Sequence, residues 1–200
     1  MRHVLPVAVA STACVLALAV ALVPTSTRSQ EAQAPARPAQ GAALDDARVA
    51  ELLEGRWTLA RGQEAAQQAV ERAIERTTDG MFPIVRGQAQ RQLREANPIN
   101  GEVELRFTPQ RIRAVFESGT YESAPGQPIQ TRQPGSGDEM ELVQLIRDGH
   151  LEQVFTTGNG RRWSVFTPTP DGETMKMQVT IQAGILPRPM QYEIDYRRAQ

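Results

Sequence analysis

Leu53-Glu54-Gly55-Arg56-Trp57-Thr58-Leu59 divides the chain into two unlike parts. Before it lie a hydrophobic leader, a polar tether and a short helical segment. After it come two helices, then one alternating segment after another to the end. A glycine two residues ahead of a tryptophan at the start of such an array takes its meaning from what the rest of the chain builds around it.

The leader begins Met1-Arg2-His3 and continues from Val4 to Val23 without a charge. A positive start followed by an apolar run is a secretory signal. The run is longer than the ~7–15 apolar residues of a cleaved signal and close to the ~20 that cross a bilayer. Pro6 and the Ser11-Thr12 pair shorten its apolar core, which favours cleavage between Val23 and Ala34. Residues 1–25 are therefore expected to be a signal peptide or an N-terminal anchor, and the protein to be exported, periplasmic or secreted. Cys14 is the only cysteine. Ser11-Thr12-Ala13-Cys14 has the small residues of a lipoprotein signal, but Ser11 replaces a branched apolar residue and the apolar run continues past the thiol. Lipidation is thus the alternative to an incidental cysteine. Once the leader is removed, neither a disulfide nor a thiolate metal site can form.

From Pro24 to Ala43 the chain is rich in Ala, Pro, Gln and Ser with no hydrophobic period. Such a stretch buries too little apolar surface to order itself and reads as a flexible linker over 26–43. The folded domain is expected over 44–200. Asp45 or Asp46 can cap a short helix that gathers Val49, Leu52 and Leu53 and ends at Gly55, plugging one end of the strand array.

After Trp57, Ala66, Ala69, Val70, Ala73 and Ile74 recur at helical spacing between Gln63 and Thr78, opposite Glu71, Arg72, Glu75 and Arg76. Asp79-Gly80 ends this helix. A second runs from Pro83 to Ala96 and stops at Asn97-Pro98. Its polar face carries Arg86, Arg91 and Arg94, either a solvated face or a peripheral contact with anionic lipid or a partner. The formal net charge of −1 gives no footprint for nucleic acid.

From Gly101 the period changes to two. Val103, Leu105 and Phe107 alternate with Glu102, Glu104 and Arg106; Ile112, Ala114 and Phe116 alternate with Arg111, Arg113 and Glu117. Shorter extended pieces lie around Tyr121 and Ile129. Met140, Leu142, Gln144 and Ile146 lead to the Asp148-Gly149 turn, and Leu151, Gln153 and Phe155 return. After Gly158-Asn159-Gly160, Trp163 and Val165 are expected on the buried face. Met175, Met177, Val179 and Ile181, then Met190, Tyr192, Ile194 and Tyr196, complete the array. Short loops and one-sided alternation define an antiparallel meander with one buried face. About ten strands in sequence curl and close more readily than they stay flat. The fold class is mainly β: an up-and-down barrel with a helix-turn-helix lid between first and second strands.

This order of elements resembles the calycin superfamily, most of all the layout of the fatty-acid-binding proteins. The resemblance covers roughly Leu53 to Ala199. It rests on Gly55-Arg56-Trp57, on Asp148-Gly149-His150-Leu151 as central hairpin and on Tyr196-Arg197-Arg198 closing the last strand. It implies a barrel that binds a hydrophobic small molecule or lipid without catalysis. It also implies that Arg198 packs across Trp57 beside Gly55 as closure hardware, for which an arginine over an indole has a cation–π rationale. Where that family carries Arg-x-Tyr on its last strand, this chain has Ile194-Asp195-Tyr196, with the tyrosine but not the arginine. The secretory leader points to lipocalin-like proteins of the bacterial envelope.

No constellation argues for chemistry. His150 is the one histidine beyond the leader and stands on a hairpin turn without cysteines or an acidic cluster, so no metal or cofactor is implied. Glu139 and Glu141 lie on the outward parity, as do nearly all ionisable residues. Cavity candidates are therefore Phe107, Phe116, Tyr121, Met140, Gln144, Gln153, Phe155, Met175, Met177, Met190, Tyr192 and Tyr196. Methionine suits promiscuous apolar surfaces, and the tyrosines and glutamines can orient a ligand. The alternatives are a filled core serving a membrane-tethered structural or interaction module, and an open half-barrel lipid carrier.

Overall fold

A computed structural model describes residues 45–132 and 137–199; the leader, the linker and Cys14 lie outside them. The elements are α1 (Asp46–Leu53), β1 (Gly55–Leu59), α2 (Gly62–Thr78), α3 (Pro83–Ala96), β2 (Glu102–Thr108), β3 (Arg111–Phe116), β4 (Gly119–Ser123), β5 (Ile129–Arg132), β6 (Glu139–Arg147), β7 (His150–Thr157), β8 (Gly160–Pro168), β9 (Thr174–Ala183) and β10 (Met190–Arg198).

Asp45 starts α1 by accepting a 2.6 Å hydrogen bond from the backbone N–H of Arg48, which satisfies one of the orphan donors of the first turn. The helix buries Val49, Leu52 and Leu53 against β2, β6, β7 and β8. Trp57 is fully buried on β1, and its indole N–H donates to the Leu53 carbonyl at 2.8 Å. The plug and the first strand are thereby one unit. In α2 a stripe of Ala66, Val70, Ala73 and Ile74 is buried on β10 and α3, while α3 buries only Ala89 and Leu93. The second helix is the more loosely held half of the lid.

All strand pairs are antiparallel, in the order β4-β3-β2-β1-β10-β9-β8-β7-β6-β5. Sequence neighbours pair everywhere except at β4 and β5, and β1 meets β10 through Trp57↔Arg198 and Leu59↔Tyr196. Among the described residues β4 and β5 do not pair, so the barrel is nearly but not fully closed. The expected ten-stranded calycin-type barrel with its lid between β1 and β2 is the observed fold. Asp148 and Gly149 both have positive φ, 50° and 84°, the two-residue turn whose twist matches the flanking strands.

The topology gives the barrel two distinct ends. The closed end holds α1, the β8–β9 turn and the end of β10. There the Arg198 guanidinium donates to the carbonyls of Gly172, Glu54 and Leu52 at 2.8, 2.8 and 2.7 Å. The other end carries both lid connections and the β3–β4, β7–β8 and β9–β10 turns.

One strand differs from the sequence expectation. Ser164 and Phe166 are buried in β8 while Trp163 and Val165 are only partly so. The inner face of this strand is therefore Arg162, Ser164 and Phe166, with Trp163 and Val165 on the outside. The β7–β8 register explains the reversal: Phe155 pairs with Arg162 and Gln153 with Ser164, and directly opposed residues share a face.

Candidate ligand cavity

A cavity of about 50 Å³ lies inside the barrel toward the lid end. The last residue of α3, Ala96, and the segment after it, with Pro98 and Asn100, roof it; Phe116, Tyr121, Phe155 and Phe166 wall it; Ser118, Gln153, Arg162, Ser164 and Met177 complete the lining. The four rings form a chain of tilted and edge-on contacts: Tyr121–Phe155 at 5.1 Å, Phe116–Tyr121 at 5.9 Å and Phe116–Phe166 at 6.3 Å between centroids. Such pairs are worth ~0.5–1.5 kcal/mol beyond their buried area.

The cavity follows a seam between two apolar clusters. The larger gathers α1, α2 and β1 with the strands on either side of it and includes Phe166 and Met177. The smaller consists of Tyr121, Met140 and Leu142 with Phe116, Ile129 and Phe155 against it. A space of this size holds a few waters, each needing ≳10–15 Å³ of such volume, and is well below the ~300–1,000 Å³ of ligand pockets. Any larger ligand has to part the two clusters.

Of the residues singled out from the sequence, Phe116, Tyr121, Gln153, Phe155 and Met177 line this cavity. The others do not. Met175 and Met190 are fully buried in the larger cluster, Met140 packs in the smaller one, and Phe107 is half-buried against the core near the closed end. Gln144 is locked in place: its amide donates to the Ile112 carbonyl at 3.1 Å and to the Ser123 hydroxyl at 3.0 Å, and it accepts from Gln153 at 2.6 Å. The two tyrosines of β10 are committed to the roof, Tyr192 donating to the Asn97 side-chain oxygen at 3.2 Å and Tyr196 to the Asn100 carbonyl at 3.0 Å. Burial raises the pKa of both phenols. They stay neutral donors at ordinary pH.

Arg162 is the residue that the expected burial of Trp163 and Val165 left on the outward parity. It sits half-buried on the inner face between Phe155 and Ile181. Its Nε–H lies 3.3 Å from the Ser164 hydroxyl, and no carboxylate among the described residues pairs with it. Its charge reaches across the lumen: burial raises the Tyr121 phenol pKa, and Arg162 partly offsets this. Here is one cation, with donors to spare, on the wall of an aromatic cavity.

The three lid arginines form no single free face. Arg94 is bound to Glu71 through contacts of 2.9 and 3.0 Å, and Arg86 turns back to donate to the Met81 carbonyl at 3.1 Å. Arg91 alone is exposed without such a bond. The start of the second lid helix also exposes apolar side chains: Phe82 at 83 %, Ile84 at 89 % and Val85 at 44 %. No group of His, Cys, Asp and Glu among the described residues is placed to hold a metal ion.

No protein-family profile matches the chain, and no curated protein matches it in sequence. Solved structures do match in shape. An abundant heat soluble (SAHS) protein from Ramazzottius varieornatus aligns with TM-score 0.49 and 8 % identity over 74 % of this chain and 96 % of that one. The Schistosoma mansoni fatty acid binding protein, in complex with arachidonic acid, aligns with TM-score 0.45 and 11 % identity over 76 % and 99 %. The zebrafish ileal bile acid-binding protein, complexed with cholic acid, aligns with TM-score 0.46 and 10 % identity over 74 % and 99 %. By its own strand order this chain folds as a nearly closed ten-stranded antiparallel barrel with a helix pair between β1 and β2, the calycin-like layout expected from the sequence.

Proposed function

We propose that this barrel binds, without chemistry, a hydrophobic small molecule or lipid that carries an acidic group, in the cell envelope. The observation that carries the reading is Arg162, a cation without a carboxylate partner on the wall of an aromatic cavity. A half-buried charge costs free energy unless paired, and an anionic headgroup is the partner it lacks. Gln153, Ser164 and Asn100 supply the few polar groups that orient such a ligand, and the rings and Met177 take its apolar body. The tail lodges along the seam between the two clusters, which part as it enters. The envelope location rests on the leader.

The lid end suits access from a lipid surface. Phe82, Ile84 and Val85 project there, and so does Ile185, 51 % exposed in the β9–β10 turn. Exposed apolar groups of this kind mark contact sites, and they replace the arginine face as the candidate for peripheral membrane contact.

Native mass spectrometry of the chain purified without detergent, followed by titration with an environment-sensitive apolar dye and its displacement by a long-chain carboxylic acid, tests the reading. Displacement by the acid, and weaker displacement by the matching alcohol, is the expected result. A chain that takes up neither dye nor acid sinks it and leaves the second reading: an interaction module with a filled core, for which the small size of the cavity speaks.

A further inference from the structure

We propose that the outer face of β6, β7 and β8 is a self-association surface whose partner is a second copy of this chain, packed about a two-fold axis running along β7. The outer wall of a barrel in water ordinarily alternates with the core as a polar face. Here it does not. The register sets Val143, Val154 and Trp163 side by side across three strands in one rung. Leu145 and Val165 flank Glu152 in the next. All five apolar residues lie on the outward parity and are partly exposed. An apolar patch rimmed by polar residues is a contact site for another surface.

Charge identifies the occupant. In the rung that borders the patch toward the lid end, Glu141 on β6 and Arg161 on β8 stand on either side of Thr156. Neither has an ionic partner among the described residues. Arg161 lies over the Trp163 ring, its guanidinium carbon 5.2 Å from the centroid. A two-fold axis along β7 exchanges β6 and β8 within each rung. It sets Glu141 against Arg161 of the partner subunit, Arg161 against Glu141 of the partner subunit, and Trp163 against Val143 of the partner subunit. An isologous interface of this kind demands a self-complementary patch, and opposite charges on the two flanks of one apolar stripe meet that demand. Glu152, near the axis, is already paired within its own chain with Arg147 at 2.7 Å and lies 3.1 Å from the His150 ring nitrogen. The patch is smaller than the ~20–30 residues per side of a standard interface, so the dimer is weak, with a Kd in the roughly micromolar range.

The test is a charge-swap cycle on the full chain by sedimentation velocity over a concentration series, in one non-ionic detergent for all samples. E141R and R161E each place like charges in contact twice per dimer and are expected to weaken association about tenfold or more. The double variant E141R/R161E restores opposite charges and is expected to recover it to within about threefold. Circular dichroism melts show that the variants remain folded. Association that ignores the single swaps, as leader-driven association would, overturns the proposal. So does a double variant that fails to recover, and so does a chain that stays monomeric at every concentration, which would leave the face to a partner of another kind.

Discussion

The guanidinium of Arg198 lies over the indole of Trp57, its carbon 4.6 Å from the ring centroid, and the two residues are also paired across β1 and β10. One side chain from the end of the fold thus holds the first strand, the plug helix and the β8–β9 turn. Arg198→Ala removes three hydrogen bonds from a charged donor together with the cation–π contact. It is expected to cost about 2–4 kcal/mol, read as a lower urea midpoint at unchanged m-value. Arg198→Lys recovers little of this, because an ammonium cannot span three carbonyls as the planar fork does.

Gly55 makes room for that fork. Its φ is +124°, and a Cβ there would come 2.9 Å from the nearer Nη of Arg198. Gly55→Ala is therefore expected to destabilise the protein through strain and through displacement of Arg198. In a double-mutant cycle with Arg198→Ala the combined loss is expected to be less than the sum of the two single losses, because the second substitution removes the group that the first one displaces.

Arg162→Leu separates binding from stability. Loss of a charge-assisted hydrogen bond weakens a long-chain carboxylate about 10- to 100-fold, measured by dye displacement, and leaves the matching methyl ester unaffected. Thermal melts are expected to show no loss of stability and a gain of a few degrees, since an unpaired half-buried charge is removed.

Much of the fold is legible in the chain and one part of the site is not, for reasons visible in β8. Elsewhere the strands put apolar groups on one parity, as in Met175, Met177 and Val179, so the inner face reads directly. In Arg162-Trp163-Ser164-Val165-Phe166 apolar residues occupy both parities, and periodicity cannot choose. The loop decides instead. Gly158-Asn159 is a two-residue connection with Thr157 opposite Gly160, and counting back from it puts Arg162 beside Phe155, inside. The cavity's size has no signature in the pattern. It depends on how Phe116, Tyr121 and Phe155 turn against one another. The commitment of Tyr192 and Tyr196 to the lid depends on where Asn97 and Asn100 come to rest.

Acid is expected to loosen the lid. The hydrogen bond from Arg94 holds the Glu71 carboxyl below the usual glutamate range against the opposing effect of burial, with lesser help from the Arg94 charge and the Gln67 amide. A carboxylate whose pKa is lower folded than unfolded stabilises the fold above its unfolded pKa and loses that contribution as pH falls through the folded value. Hydrogen exchange of the α3 amides, corrected for the intrinsic rate, should rise between pH 7 and pH 3 more than that of the β9 amides. Glu71→Gln should show the loosened α3 already at pH 7.

Tyr192→Phe removes the buried hydrogen bond to Asn97 and leaves that amide oxygen without its donor, at an expected cost of about 1 kcal/mol. Asn97 follows α3 directly and its own amide donates to the Leu93 carbonyl at 2.7 Å, so the loss falls on the cavity roof. Stopped-flow dye uptake should be faster in this variant, while its equilibrium affinity changes little.

The sheet ends at β4 on one side and at β5 on the other, and no ladder joins them among the described residues. It is a rolled strip rather than a hoop. In a hoop the circumference is set by the backbone, and widening it by one side chain's breadth would break a full set of inter-strand hydrogen bonds. In a strip the circumference is set by whatever stands between the free edges, here Tyr121 and Phe116 on one margin and Ile129 and Met140 near the other. Such a strip can widen by exchanging side-chain contacts while its backbone ladders stay intact. The interior volume of about 50 Å³ is then that of the strip with its margins in contact, and the ligand proposed above would be admitted as they separate.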